Sequence, residues 1–380
     1  MVRVERSGWR CALSSAGNAG GVSSSTTIEG GGIAGFDAAA SAASTGLDDA
    51  VAPVLEPPHH QATMMRHLKS ASTVLIRFPF SGGQPRKGVE HGPEALVKAG
   101  LKEQLQTLGW EVEEDASISW DSVHALLGSD PDIGKMRNPR SVSKASELLA
   151  DVIEKHCKAG KLPLTIGGDH SLGTGSMIGT ARAYPDVACI WIDAHADINT
   201  PLTTPSGNLH GCPVSFALAL EGCVVEPYKS WIPNPSLNSP NRLVYIGLRD
   251  IDAGERKILR DLNIKAFSMH HVDKYGIGKV VEMALDHING HTSRRDRPIH
   301  LSFDVDAMDP SVAPSTGTPV RGGLTFREGH YICEAIAETG ALVAMDMVEV
   351  NPALEDHVAA ENTVAVGCSL VRAALGETLL

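Results

Sequence analysis

The sequence predicts a single α/β domain built on a parallel sheet. Short apolar runs of strand length alternate with amphipathic stretches of helix length, the runs are bounded by Gly, Pro or Asp, and the pattern begins only near Ser72. Strands buried on both faces read as near-continuous apolar runs, and alternation of such strands with helices is the mark of βαβ units. With 42% hydrophobic and 21% charged residues among 380, the composition excludes coiled coil, collagen and wholesale disorder. A formal charge of −12 argues against a nucleic-acid or anionic-membrane partner. No apolar run reaches the roughly 18 residues a membrane span needs.

Residues 1–71 form a low-complexity extension expected to be disordered. Residues 12–58 are dominated by Ser, Ala, Gly and Thr, which bury too little surface to offset their ordering entropy. Arg3, Arg6 and Arg10 among Ser and Ala have the composition of an organelle transit peptide. The expected location is intracellular, in mitochondrion or cytoplasm, and the seven cysteines form no CxxC pair, as reduced thiols would.

The folded domain is expected over residues 72–376. Its first strand is 73–78, followed by a Gly/Pro-rich loop through Gly92 and a helix with Pro93 at its first position and Gly109 past its end. A second helix spans about 143–160, because Leu148, Leu149, Val152 and Ile153 recur on one face. Further strands are expected at Leu162–Gly167, 187–193, Leu243–Leu248, Ile299–Asp304 and 342–350.

Three of these strands end in metal-ligand residue types: Gly167-Gly168-Asp169-His170, Asp193-Ala194-His195-Ala196-Asp197 and Asp304-Val305-Asp306. Residues two apart in extended chain share a side, so Asp193, His195 and Asp197 converge if the strand continues, and Asp304 with Asp306 likewise. Open α/β sheets bind ligands at the carboxyl ends of their strands. A lone DxHxD is more often a loop or cap, but three such groups at three strand ends point to metal. Four carboxylates and two imidazoles without a thiol suit Mn(II), and they are too many for one catalytic ion with an open position. Two ions would also relieve the repulsion among the carboxylates. Taken singly, His210 reads as a loop histidine and Glu349 as a half-exposed strand-end residue.

With these motifs in view, the chain from about Val74 to Val371 resembles the arginases of the ureohydrolase family. The resemblance runs through Gly-Gly-Asp-His-Ser at 167–171, Asp-Ala-His-Ala-Asp-Ile-Asn-Thr at 193–200 and Ser-Gly-Asn-Leu-His-Gly at 206–211. It continues through Ser-Phe-Asp-Val-Asp at 302–306, Gly-Thr-Pro-Val at 317–320 and Glu-Val-Asn-Pro at 349–352. It implies one α/β/α domain with a parallel sheet of about eight strands, two Mn(II) ions per subunit, a homotrimer, and hydrolysis of L-arginine to L-ornithine and urea by a hydroxide bridging the metals. It further implies that His170, Asp193, Asp197 and Asp304 hold one ion, and Asp193, His195, Asp304 and Asp306 the other. Asp197 would pass a proton to the departing amine, His210 would exchange protons with solvent, and Glu349 would pair with the guanidinium. Asn199, Ser206, Asn208, Asp252 and Thr318 would read the rest of the substrate, and Arg327-Glu328 matches a subunit-contact dipeptide. Arg321 and Cys212 depart from the family pattern. The rivals are an agmatinase-like or other guanidino-compound ureohydrolase, a two-metal phosphoesterase, which the anionic Glu349 opposes, and an inactive metal-stabilised scaffold, which has no need of His210 or Glu349.

Overall fold

The structure, a computed structural model, describes residues 65–378 apart from 233–236, 238 and 291–294; Arg3, Arg6, Arg10 and most of the extension lie outside the described residues. Eight strands form one sheet: β1 (Ser72–Phe78), β2 (Glu111–Asp115), β3 (Leu162–Gly167), β4 (Ala188–Ile192), β5 (Leu243–Leu248), β6 (Lys265–Ser268), β7 (Ile299–Asp304) and β8 (Leu342–Val348). Every pairing is parallel, in the order β2-β1-β3-β8-β7-β4-β5-β6. The helices are α1 (Gly92–Lys98), α2 (Leu101–Thr107), α3 (Trp120–Leu127), α4 (Pro139–Ala159), α5 (Gly173–Ala183), α6 (Pro213–Ala217), α7 (Ala253–Asp261), α8 (Met269–Tyr275), α9 (Ile277–Asn289), α10 (Phe326–Glu338) and α11 (His357–Ala374).

Alternation along β1 separates the two sides of the sheet. Leu75 packs into a core with Leu96 of α1, Leu101 of α2, Val280 of α9, Ile332 of α10 and Leu370 of α11. Val74 and Ile76 face the other way, onto Val123 of α3 and Leu149 and Ile153 of α4. Beyond them Trp191 and Tyr245 pack with Met177 of α5, Val214 of α6 and Leu259 of α7. Helices cover both faces, which gives the three α/β/α layers expected. No helix among the described residues is long and apolar enough to cross a membrane.

The departures from expectation have local causes. The helix expected after Pro93 is two short helices, because Gly100 takes a left-handed φ of 86° between α1 and α2. β2 and β6 had no apolar signal: only Val112 in one and Phe267 in the other are buried, as edge strands half open to water allow. β4 stops at Ile192 and β8 at Val348, so Asp193 and Glu349 stand in the loops beyond the sheet. Met65, Leu68 and Ala71, assigned above to the extension, pack on the core, and the amides of Arg66 and Lys69 donate to the carbonyls of Gly340 and Gly160 at 2.8 and 2.9 Å.

The last two strands of the chain lie between β3 and β4. The carboxyl ends of β3, β8, β7 and β4 are therefore adjacent at the centre of the sheet, where the chain reverses its order of strands.

Candidate metal centre and active-site cleft

All four central strands deliver residues to one spot. After β3 the chain turns at Gly168, where a Cβ would lie 1.9 Å from the carbonyl oxygen of Phe80, and His170 follows. Asp193 leaves the end of β4, Asp304 ends β7, and a 3₁₀ turn, Val305–Ala307, carries Asp306, whose amide donates to Asp304 Oδ1 at 2.8 Å. Asp197 does not converge through continued strand, as expected above; it is reached by a loop and sits at φ 49°. That loop separates the DxHxD ligand types. His170 Nδ1 faces Asp193 Oδ2 at 3.2 Å, Asp197 Oδ2 at 3.3 Å and Asp304 Oδ2 at 3.2 Å. His195 Nδ1 faces Asp193 Oδ1 at 3.3 Å and Asp306 Oδ2 at 3.1 Å. Asp193 is common to two sets compact enough to hold an ion, His170 with Asp193 and Asp197, and Asp193 with His195 and Asp306; Asp304 adjoins the first through His170.

The electrostatics favour cations at this spot. His170 Nδ1 is buried and makes no hydrogen bond, although three carboxylates surround it, and one N–H could serve only one of them. Burial pushes the Asp304 carboxyl well above its usual range, and Asp306 and Asp193 push it the same way. Burial and then Asp193 raise Asp197, and the same two causes raise Asp306 to about 6. Burial would also raise Asp193, but His170 and His195 hold it below the carboxylate range. Divalent cations among these oxygens reverse the cost of ionising them together. Oxygen and imidazole donors without thiol fit a hard ion of the Mn(II) type.

Above the cluster opens a cleft of about 220 Å³ lined by His195, Asp197, Asn199, Ser206, Asn208, His210, Asp252, Asp304, Asp306 and Thr318, together with Asp250 and Glu255. Asp252 caps α7 through a capping box with Glu255, and Asn199 Nδ2 donates to its Oδ2 at 2.7 Å. Asn199 Oδ1 accepts from Thr203 at 2.8 Å, so Asn199 braces Asp252 from within. Ser206 is exposed and Asn208 half-buried, with Ser206 Oγ accepting the Asn208 amide at 3.2 Å. Thr318 Oγ1 donates to Asp306 Oδ2 at 3.0 Å.

Glu349 is 3% exposed, not half-exposed, because it sits at φ 61° and turns inward, with Oε1 accepting the His170 amide at 2.9 Å. His210 Nδ1 lies 3.6 Å from that oxygen, its side chain one-fifth (21%) exposed. Burial opposes its charge, but Glu349 prevails and lifts the imidazole to about 9. Glu255 was overlooked in the sequence, although Asp252-Ala253-Gly254-Glu255 has capping-box spacing. Burial, then Asp197, raises its carboxyl to about 8. Asp169 was quoted only as part of a motif; it is fully buried, and its Oδ2 accepts the Gly83 amide at 2.8 Å. Of the departures, Cys212 is buried and Arg321 exposed.

Among known proteins, the family model for the Arginase family matches residues 71–376. The chain belongs to the arginase family. A curated relative, the arginase of Glaciozyma antarctica, is 60% identical over 311 residues, covering 80% of this chain and 88% of the relative. The crystal structure of a cold-adapted arginase from that psychrophilic yeast aligns with a TM-score of 0.66 and 52% identity over 83% of this chain and 98% of that one. An Entamoeba histolytica arginase solved in complex with L-ornithine aligns with a TM-score of 0.70 and 30% identity over 82% of this chain and 100% of that one. A hypothetical agmatinase from Burkholderia thailandensis, at 23% identity and a TM-score of 0.58 over 80% of this chain and 85% of that one, shares only the fold. Membership in the arginase family makes the chain a hydrolase of guanidino groups.

Proposed function

We infer that the chain is an arginase that hydrolyses L-arginine to L-ornithine and urea, with two Mn(II) ions per subunit. The observation that carries this is His170 Nδ1, buried without a hydrogen bond and faced by three carboxylates at 3.2–3.3 Å. His170, Asp193, Asp197 and Asp304 would hold one ion and Asp193, His195, Asp304 and Asp306 the other. When bound, such ions supply Lewis acidity that acidifies water at the floor of the cleft.

The chain's own residues do the remaining work. Asp197 lines the cleft and is the carboxylate placed to carry a proton to the departing amine. His210 touches both solvent and Glu349, which suits it to exchange protons with the outside. Glu349 offers a buried anion to a planar cation with several donors. At the mouth Asp252 is the charge for the α-ammonium, Asn199 holds that carboxylate, and Ser206 and Asn208 offer hydrogen bonds to the α-carboxylate. Thr318 orients Asp306. An agmatinase-like activity would leave those carboxylate-reading groups unpaired.

The same proposal carries a homotrimer and an intracellular location, in mitochondrion or cytoplasm, for a catalytic domain over 72–376 preceded by the low-complexity extension. Glu328 caps α10 by accepting from Thr325 N and Oγ1 at 2.8 and 2.9 Å, which leaves Arg327 the more available member of the pair. The six described cysteines are free thiols, consistent with a reducing compartment. The deciding assay is urea release from L-arginine and from agmatine, with Mn(II) and after chelation. Release from arginine that needs the metal supports the proposal; equal release from agmatine refutes the substrate, and undiminished release from metal-free protein refutes the metal.

A further inference from the structure

The segment that follows β1, residues 79–83, has no part in the chemistry above, yet it lies between the turn that carries His170 and the turn that carries His210. It is a strap sewn to the end of β3. The amides of Gly168 and Asp169 donate to the carbonyls of Phe78 and Phe80 at 2.8 and 3.0 Å, the Gly83 amide donates to Asp169 Oδ2 at 2.8 Å, and Asn138 Nδ2 donates to the carbonyl of Gly82 at 2.8 Å. Asp169 is fully buried and does not line the cleft. Burying a carboxylate is costly unless its oxygens are bonded, and both are: Oδ2 takes the Gly83 amide and Oδ1 the Ser171 amide at 3.0 Å.

The other side of the strap holds a second element. The carbonyl of Gly83 accepts the amide of His210 at 3.0 Å. One residue thus joins the Asp169 carboxylate, through its N–H, to the backbone of His210, through its C=O. The approach leaves no room for a side chain: a Cβ on Gly83 would lie 2.6 Å from Asp169 Oδ1 and 2.7 Å from Ser171 Cβ. The imidazole itself is held loosely, with Nδ1 3.6 Å from Glu349 Oε1, beyond hydrogen-bond length. Its place is therefore set by the backbone that carries it.

We propose that Asp169, acting through Gly83, is a positioning residue for His210: it fixes the strap, and the strap fixes the backbone from which the imidazole reaches Glu349 and solvent. This rests on the proton-exchange role of His210 proposed above and extends it to residues that neither hold metal nor touch substrate.

The test is a double-mutant cycle on the Mn(II)-loaded enzyme. Gly83→Ala, which alters neither a proposed ligand nor Asp169 itself, should lower kcat for L-arginine by about 10–100-fold, with KM changed by less than about 2-fold and the parent's Mn(II) content retained. In a His210→Asn background the same substitution should cost less than about 2-fold, because residues that act as a unit are not additive. Asp169→Ala should follow the same pattern in both backgrounds. A loss of kcat that recurs in full without His210 overturns the proposal, as does unchanged kcat or loss of Mn(II) in either variant. Amide hydrogen exchange reads the strap independently of activity: the His210 amide should exchange at least about 10-fold faster in both variants, while β7 and β8 exchange as in the parent. Should the parent release no urea from L-arginine with Mn(II), the proposed function fails; exchange then decides alone, and an unchanged rate at His210 overturns the positioning role.

Discussion

At the floor of the cleft, Asp193, Asp304 and Asp306 are at most 3% exposed, and among the described residues no lysine or arginine pairs with their carboxylates. Arg249, whose charge they feel, commits its guanidinium to the carbonyls of Gly247, Asp306, Ala307, Met308 and Val320. At the mouth, Asp252 is already satisfied by Asn199 and by the Glu255 amide, and Ser206 is exposed. The floor needs something from outside the chain to balance its charge; at the mouth the chain itself holds the Asp252 carboxylate, and Ser206 and Asn208 remain open to a ligand. Substitutions at the floor should therefore remove metal and chemistry together, and substitutions at the mouth should alter which molecule is accepted.

The largest effect tests the floor. Asp304→Ala removes an oxygen 3.2 Å from His170 Nδ1 and should lower urea release by at least about 10³-fold, with loss of bound metal. Elemental analysis alongside the assay checks it, and a variant that keeps both metals and activity would erase the contrast between floor and mouth. Next comes the mouth. A site that hydrogen-bonds polar groups rejects analogues lacking them by up to roughly 10⁴-fold, so kcat/KM for L-arginine should exceed that for agmatine by at least about 10²-fold.

His210 stands between the two regions. An imidazole raised to about 9 by Glu349, against the opposing effect of burial, is mostly protonated at neutral pH. Only its neutral form accepts a proton, so kcat should climb by roughly 10-fold from pH 7 to 8 and by about 5-fold from 8 to 9 if this step limits turnover. His210→Asn should flatten that rise and lower kcat. The stability sign is opposite: the His210–Glu349 contribution is whole below the free imidazole value near 6.5 and disappears as pH passes about 9, which thermal melts at pH 6 and 10 would register.

Asp252→Ala carries the smallest effect and sharpens the comparison most. It should raise KM for arginine about 10-fold while both metals stay bound. Loss of the α7 cap should also cost about 1 kcal/mol, a fall in Tm of about 2 °C. Metal loss from this variant would show that mouth and floor are not separable.

The central strands were legible because both faces are buried, so β3, β5 and β7 could be bounded from apolar runs alone. β2 and β6 were not, since an edge strand such as Glu111–Asp115 satisfies its polar side chains in water. The start of α4 was missed because Asn138, at φ 47°, gives no side-chain cap; Pro139 at the first position was the available signal. The floor residue types stood out as three polar clusters after apolar runs. Glu255 and the inward turn of Glu349 did not, because they depend on backbone geometry.

The placement of β7 and β8 between β3 and β4 also says when the centre can exist. His170 and Asp193 are made early in the chain, but β3 and β4 are not neighbours; the two strands that join them, and that bring Asp304 and Glu349, are the last to be synthesised. A nascent chain stopped before Ile299 has four of the six proposed ligands, His170 on one three-strand group and Asp193, His195 and Asp197 on another, with nothing yet to join the two. Long-range parallel pairing is slow to form, so tight metal capture should mark the closing event of folding and lag behind the gain of helical signal during refolding.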